Sequence, residues 1–237
     1  MANIDYLRKK VKYHIRDIHI LDPDLNDMIN TILEEIAYKT KIFKKAFGFT
    51  VHEEIQAYNF KNIARLNEQV ELEPTQIVIG DPLPEDMLKF ILTGVFPDPQ
   101  VTKELQTEQA RARMMELVDI FDKDGRSVLD KFEERGSSYY FCYDESWRKE
   151  NDKEGFMFIG TVIPEIDELT DDMLMEITSA VIAGCKFYVN DTMHSPNDTQ
   201  ATNYDYMRWY QALEELRNRY PTTTFANSMV EKDRKWI

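Results

Sequence analysis

Phe121-Asp122-Lys123-Asp124-Gly125 opens like a calcium-binding loop. With Asp122 in first place, Asp124, Asp130 and Glu133 fall third, ninth and twelfth, where oxygen ligands are wanted, and Leu129 fits eighth. Arg126 stands fifth, however, and a guanidinium there opposes the charge the loop would bind. Ser127 stands sixth, where glycine permits the sharp turn. A helix-ending Asp-Gly turn is the better reading, and no metal site is assigned.

The other reactive side chains lack partners at useful spacing. His14 and His19 are five residues apart, which separates them around a helix, and no HExxH occurs. His52 and His194 have no matching ligands nearby in sequence. Cys142 alternates with Tyr and Phe in a strand-like run, and Cys185 lies in an apolar helical stripe, so both read as core. Two cysteines do not make a Cys-based zinc site, and two free thiols fit better than one bridge. No GxGxxG, GxxxxGK[ST] or GxSxG is present. Glu34-Glu35, Asp171-Asp172 and Glu214-Glu215 read as solvated faces and helix-dipole caps.

Two groups point to binding instead. Arg8-Lys9-Lys10-Lys12 is either a phosphate contact or the solvated face of a first helix. Tyr204, Tyr206, Trp209 and Tyr210 are too dense for a lone helix surface and are either core or a subunit interface.

The formal charge of the 237 residues is −14, which argues against wrapping nucleic acid as a main activity. Residues 141–175 hold ten acids against Arg148, Lys149 and Lys153, whereas the first fifty residues are slightly basic. The N-terminal MANIDYLRKKVKYHIRD lacks the apolar core of a signal peptide, and no apolar run approaches the ~20 residues of a membrane helix. A soluble intracellular product is expected.

The elements that would hold these residues follow from periodicity. Ile4, Leu7, Val11, Ile15 and Ile18 predict a first helix to about His19. Asp22-Pro23 supplies an N-cap and first-turn proline for a helix from Asp24 to Phe47, with Gly48 after its end. Its stripe is Leu25, Met28, Ile29, Ile32, Leu33, Ile36, Phe43 and Phe47. Phe49-Thr50-Val51 and Gln76 to Ile79 look like strands. A short helix is expected from Pro84 to Gly94, and another from Asp98-Pro99 through Met114, Leu117, Val118 and Phe121. Ser137–Tyr143 and Phe156–Ile163 read as two strands of one sheet, joined by a charged loop around Trp147. Thr170 caps a helix with the stripe Met173, Leu174, Ile177, Val181, Gly184 and Tyr188. After a polar loop at 190–202, a last helix carries Tyr206, Trp209, Tyr210, Leu213, Leu216 and Tyr220, and stops before Pro221. The expected fold is mainly α: a helical bundle scaffold from both chain ends (1–73 and 166–220) with a mixed α/β insertion (74–165) holding a small antiparallel sheet. These form one domain, 1–220, followed by an extended C-terminal arm, 221–237.

That order of parts resembles the head-to-tail adaptor (connector) proteins of tailed bacteriophages. The family's phrase of tyrosine, short polar stretch, Ile/Val and Arg is matched by Tyr58-Asn59-Phe60-Lys61-Asn62-Ile63-Ala64-Arg65. Its later helix, polar loop and aromatic last helix are matched by Met173 to Tyr188, Ser195-Pro196-Asn197-Asp198 and Tyr204 to Tyr220. The likeness covers about 1–66 and 170–237 and leaves 67–165 unmatched.

The resemblance implies a structural virion protein at the head-tail junction, made in the host cytoplasm, with no catalytic residue, cofactor or metal. It would form a homo-oligomeric ring of about twelve copies below the portal protein and meet a tail or second neck-ring protein. Genomic DNA would pass an acidic lumen without specific binding, and no membrane would be involved. Phe225, Met229, Trp236 and Ile237 would form a portal-binding arm, and Tyr206, Trp209 and Tyr210 a subunit interface. The alternative is another soluble binding module, such as a tail-completion protein or an acidic inhibitor that mimics DNA. A third reading is an enzyme whose site is assembled from acids of the middle segment.

Overall fold

In a computed structural model the described residues are 2–16, 19–69, 77–79, 114–136, 139–193 and 199–220. They divide into two compact units. The first takes the residues up to Phe43, the short strand at 78–79 and those from Ile163 onward; the second takes Lys44 to Ile77 and the residues from 114 to Val162.

The first unit is helical: α1 (Ala2–Ile15), α2 (Asp22–Thr40), α5 (Asp171–Met193) and α6 (Thr199–Arg219). On α2, Leu25, Met28, Ile29, Ile32, Leu33, Ile36, Ala37 and Thr40 are all buried, the stripe of a helix with one face in a core. Leu7 and Val11 of α1 and Leu174, Ile177, Ala180, Val181 and Cys185 of α5 bury the facing stripes. α5 packs against all three other helices. Thr170 caps α5 through its hydroxyl, which accepts from the Met173 N–H at 3.4 Å. Asn30 of α2 accepts the Ile166 N–H at 3.0 Å and fastens the 3-10 turn Ile166–Glu168 that precedes α5.

The α5–α6 contact is set by one glycine. A Cβ on Gly184 would lie 2.7 Å from Ile32 Cγ2 and 2.9 Å from Trp209 Cζ3. The space a side chain would need is filled by the Trp209 indole, which is 4% exposed.

The second unit is built on strands: β1 (Phe43–Thr50), β2 (Ala57–Asn59), β4 (Met114–Phe121), β5 (Glu133–Arg135), β6 (Tyr139–Phe141) and β7 (Gly155–Val162). The strand at 78–79 is β3. β7 is flanked by β1 and β4, all antiparallel, with Lys44 opposite Thr161 and Thr50 opposite Gly155. A separate sheet has the order β2-β6-β5. Helix α3 (Phe60–Gln69) packs on β4, and the short α4 (Glu145–Glu150) is capped by Asp144, whose carboxylate accepts the Trp147 N–H at 3.0 Å.

Rings fill this core. Phe49 is wholly buried and meets Tyr58, Phe60, Phe156 and Phe158 at centroid separations of 5.7, 5.0, 5.9 and 5.8 Å. Aromatic pairs at such separations contribute about 0.5–1.5 kcal/mol each beyond their burial. Arg148, 3% exposed, donates from Nε to the Glu53 carbonyl at 2.9 Å and from Nη1 to the Cys142 carbonyl. One guanidinium thus ties α4 to two loops.

Several expectations are corrected. The helix placed from Asp24 to Phe47 ends at Thr40: Lys41 takes a left-handed backbone (φ 55, ψ 28) and donates its N–H to the Ala37 carbonyl. Phe43 and Phe47 therefore sit on β1, not on a helical stripe, and Gly48 is a strand residue paired with Met157. Spacings of two and four residues suit a strand as well as a helix, and cross-strand pairing decides between them. Met114–Phe121 is a strand for the same reason, although a helix was expected there. Ser137–Tyr143 and Phe156–Ile163 do not share a sheet: β6 and β7 belong to different ones, and Trp147 lies on α4 between them. The mainly α helical bundle with a small α/β insertion is thus replaced by a mixed α/β fold. Six α-helices and two antiparallel sheets are seen among the described residues. The helix expected around 84–94, the part before Met114 of the one expected from Asp98 through Phe121, and the arm 221–237 lie outside the described residues.

Two variants test this packing by thermal or urea unfolding. Gly184→Ala should destabilise by about 1–3 kcal/mol through overpacking, and adding Trp209→Phe should return part of that loss. Additive losses would show that the two sites do not share the space. Arg148→Met should cost about 2–4 kcal/mol by leaving two carbonyls without their charged donor, and Arg148→Lys should recover only part of it.

Candidate functional site

Helix α6 carries two kinds of residue on two faces. Asp205, Trp209, Leu213 and Leu216 recur every three to four positions and are buried. Tyr206 and Tyr210, one turn apart, are 49% and 51% exposed, and Tyr204 and Met207 are exposed beside them. The sequence left Tyr206, Trp209 and Tyr210 as either core or interface. Trp209 is core; Tyr206 and Tyr210 face outward.

Between α2, α5 and α6 runs a groove of about 320 Å³. Its floor is Phe187, Trp209 and Leu213, its walls are Tyr206 and Tyr210, and its rim is Glu35 and Lys39 at one side and Glu214 and Arg217 at the other. Phe187 meets Tyr206 edge-on at 5.6 Å, and Tyr206 meets Tyr210 at 6.5 Å. Glu214 and Arg217 form a loose pair at 4.0 Å, the exposed kind that contributes little stability. A ring-lined groove with residues of both charges beside it suits an aromatic or aliphatic side chain of a partner.

Below the aromatic face lies a buried carboxylate. Asp205, 4% exposed, accepts from the Asn190 amide, and its other oxygen lies 2.9 Å from the Lys186 ammonium. The pairing compensates the burial of the charge and locks α5 to α6. Sequence reading missed Phe187, Lys186 and Asp205. Their signal is faint: Phe187 follows Gly184 by three on the α5 stripe, and Asp205 is a lone acid between two tyrosines.

The cations of α1 are split by the fold. Arg8 donates to Asn26 at 3.0 Å and to Asp5 at 3.1 Å, and Lys12 donates to Asp22 at 2.7 Å. The Lys12 ammonium holds the Asp22 carboxyl below its ordinary range. Lys10 lies over the Tyr6 ring at 5.3 Å.

The loop that opened like a calcium site is a turn, but it follows strand β4 and not the end of a helix as expected. Asp122 Oδ1 accepts the N–H groups of Asp124 and Arg126 at 2.9 and 2.8 Å, and Gly125 takes φ 74. The carboxylate is committed to the backbone. Nearby, Asp119 is buried on β4, and desolvation raises its carboxyl although Ser127 donates to it at 2.6 Å. Among the described residues no group of three or more His, Cys, Asp or Glu side chains is placed to hold a metal ion. Nor, among the described residues, is any helix long and apolar enough to cross a membrane. Phe225, Met229, Trp236, Ile237 and His194 lie outside the described residues.

The chain matches no protein-family model and no curated protein.

Both thiols are free and buried. Burial pushes Cys185 up from 9.0 to about 12 and raises Cys142 as well. Burial, with Glu134 and Glu116 adding to it, likewise lifts Tyr140 from 10.0 to about 12. These groups are held neutral in the folded state and ionise freely when unfolded. Their contribution is full below pH 9 and is lost as pH rises from about 9 toward 12. The unfolding free energy should fall across that window, and neither thiol should react with a disulfide reagent at pH 8 until the chain is unfolded. Rapid labelling of the native protein would contradict the buried assignment.

Proposed function

We propose that this protein acts by binding, as a structural assembly protein: a ring-forming adaptor of the phage neck that joins head to tail below the portal. The observation that carries the reading is the exposed aromatic face of α6, with Tyr206 and Tyr210 walling a groove floored by Phe187 and the buried Trp209. Tyrosine rings held on a rigid helix supply large contact area at little entropic cost, which is what a repeated subunit contact demands. Two further features support it. Helices before Lys41 and after Thr170 pack into one unit. The net charge of −14 suits a wall past which DNA slides. The proposed portal contact is the arm 221–237, with Phe225, Met229, Trp236 and Ile237 as its anchors.

The test is immunogold electron microscopy of purified particles, with the chain quantified by gel. Label at the single vertex between head and tail, at about a dozen copies per particle, is the expected outcome. Absence from intact particles discards the neck assignment. Tyr206→Ala with Tyr210→Ala should lower self-association in native mass spectrometry by at least about tenfold while shifting the melting temperature little, because both rings are half-exposed. Unchanged association would remove this face from the interface.

A further inference from the structure

The cations of α1 that the fold leaves uncommitted to α2 lie on another face of the helix. Tyr6, Lys9, Lys10 and Tyr13 follow one another at helical spacing, and Tyr6 and Tyr13 are 50% and 75% exposed. The stripe ends at Arg16, whose backbone is left-handed at φ 59, a region that residues other than glycine rarely adopt. There a second helix joins it. Tyr13, His14 and Arg16 line an open cavity of about 310 Å³ together with Lys186 of α5. Among the described residues no carboxylate lines this cavity. Asp5 pairs with Arg8, and the buried Asp205 holds Lys186 at 2.9 Å. In a chain of net charge −14, cations from two helices converge on one open space with hydrogen-bond donors facing it.

We infer that this stripe binds the phosphate backbone of a nucleic-acid strand. The guanidinium of Arg16 offers a fork that matches two phosphate oxygens, and Lys186 supplies a point charge held in place from behind. Lys9 and Lys10 lie one to two turns away along α1, a distance suited to a further phosphate. The exposed Tyr6 and Tyr13 rings give bases a surface to stack on, as in channels that track single strands without reading sequence. Arg8 and Lys12 take no part, because α2 and Asp5 occupy them. The inference does not rest on the neck assignment; a binding module with no place in a virion would carry the stripe equally.

Fluorescence anisotropy with a labelled single strand of about twenty nucleotides tests it on the full chain, in salt from about 50 to 200 mM. The expected result is binding that weakens steeply with salt. Arg16→Gln and Lys10→Gln should each weaken it several-fold and lower the slope of log affinity against log salt by roughly 0.7, as loss of one phosphate contact requires. Lys123→Gln with Lys149→Gln, in the second unit, should leave both affinity and slope unchanged. No binding at low salt overturns the inference, as does equal loss from the control pair. Inorganic phosphate that perturbs Tyr13 and His14 resonances, with no strand binding, overturns it in favour of a small-anion site. A blunt-ended duplex of the same length should bind more weakly, because its bases are closed to Tyr6 and Tyr13.

Discussion

The antiparallel ladder between β1 and β7 is the constraint on which the chain's organisation depends. β1 begins the second unit and β7 ends it, and their pairing sets Lys44 opposite Thr161. The two ends of a long excursion are thereby brought side by side. Residues before Lys44 and after Val162 can then join in one helical unit although more than a hundred positions separate them. The same ladder fixes the faces of β1, because a slip of one residue would turn Phe47 and Phe49 away from Phe158 and Phe60. Helix α2 must stop for this to happen. The left-handed Lys41 ends it two residues before the strand begins.

Within the helical unit, close approach and polar locking work together. Gly184 allows the Trp209 ring to lie against α5, and the Asp205–Lys186–Asn190 group fixes the helices one turn further along. With one row of α6 committed inward, the neighbouring row is displayed by geometry alone. Tyr206 and Tyr210 stand out because Asp205 and Trp209 go in. The groove beside them follows from that choice and from Phe187.

Charge is distributed with equal economy. Acids outnumber cations over the whole chain, yet α1 carries a basic run of which Arg8 and Lys12 are committed to Asp5 and α2, while Arg16 just past its end lines the open cavity. A net-acidic body with one local basic stripe would repel a polyanion broadly and hold it at a single place.

The sequence by itself determined what depends on local rules. The stripe of α2, the Thr170 cap, the burial of both cysteines and the Asp-Gly turn at Asp124-Gly125 were legible because each is settled by neighbours within a few residues. The aromatic density of α6 was legible too, but not its division, since only packing against Gly184 tells Trp209 from Tyr206. The end of α2, the strand at Met114–Phe121 and the separation of β6 from β7 were decided by tertiary structure. In each case the apolar spacing suited helix and strand alike, or one sheet and two. The balance was set by pairing with other segments, most of them tens of residues away or more, and no local window contains that term. The same holds for the cavity at Arg16: its lysine comes from α5, which only the fold brings to the end of α1.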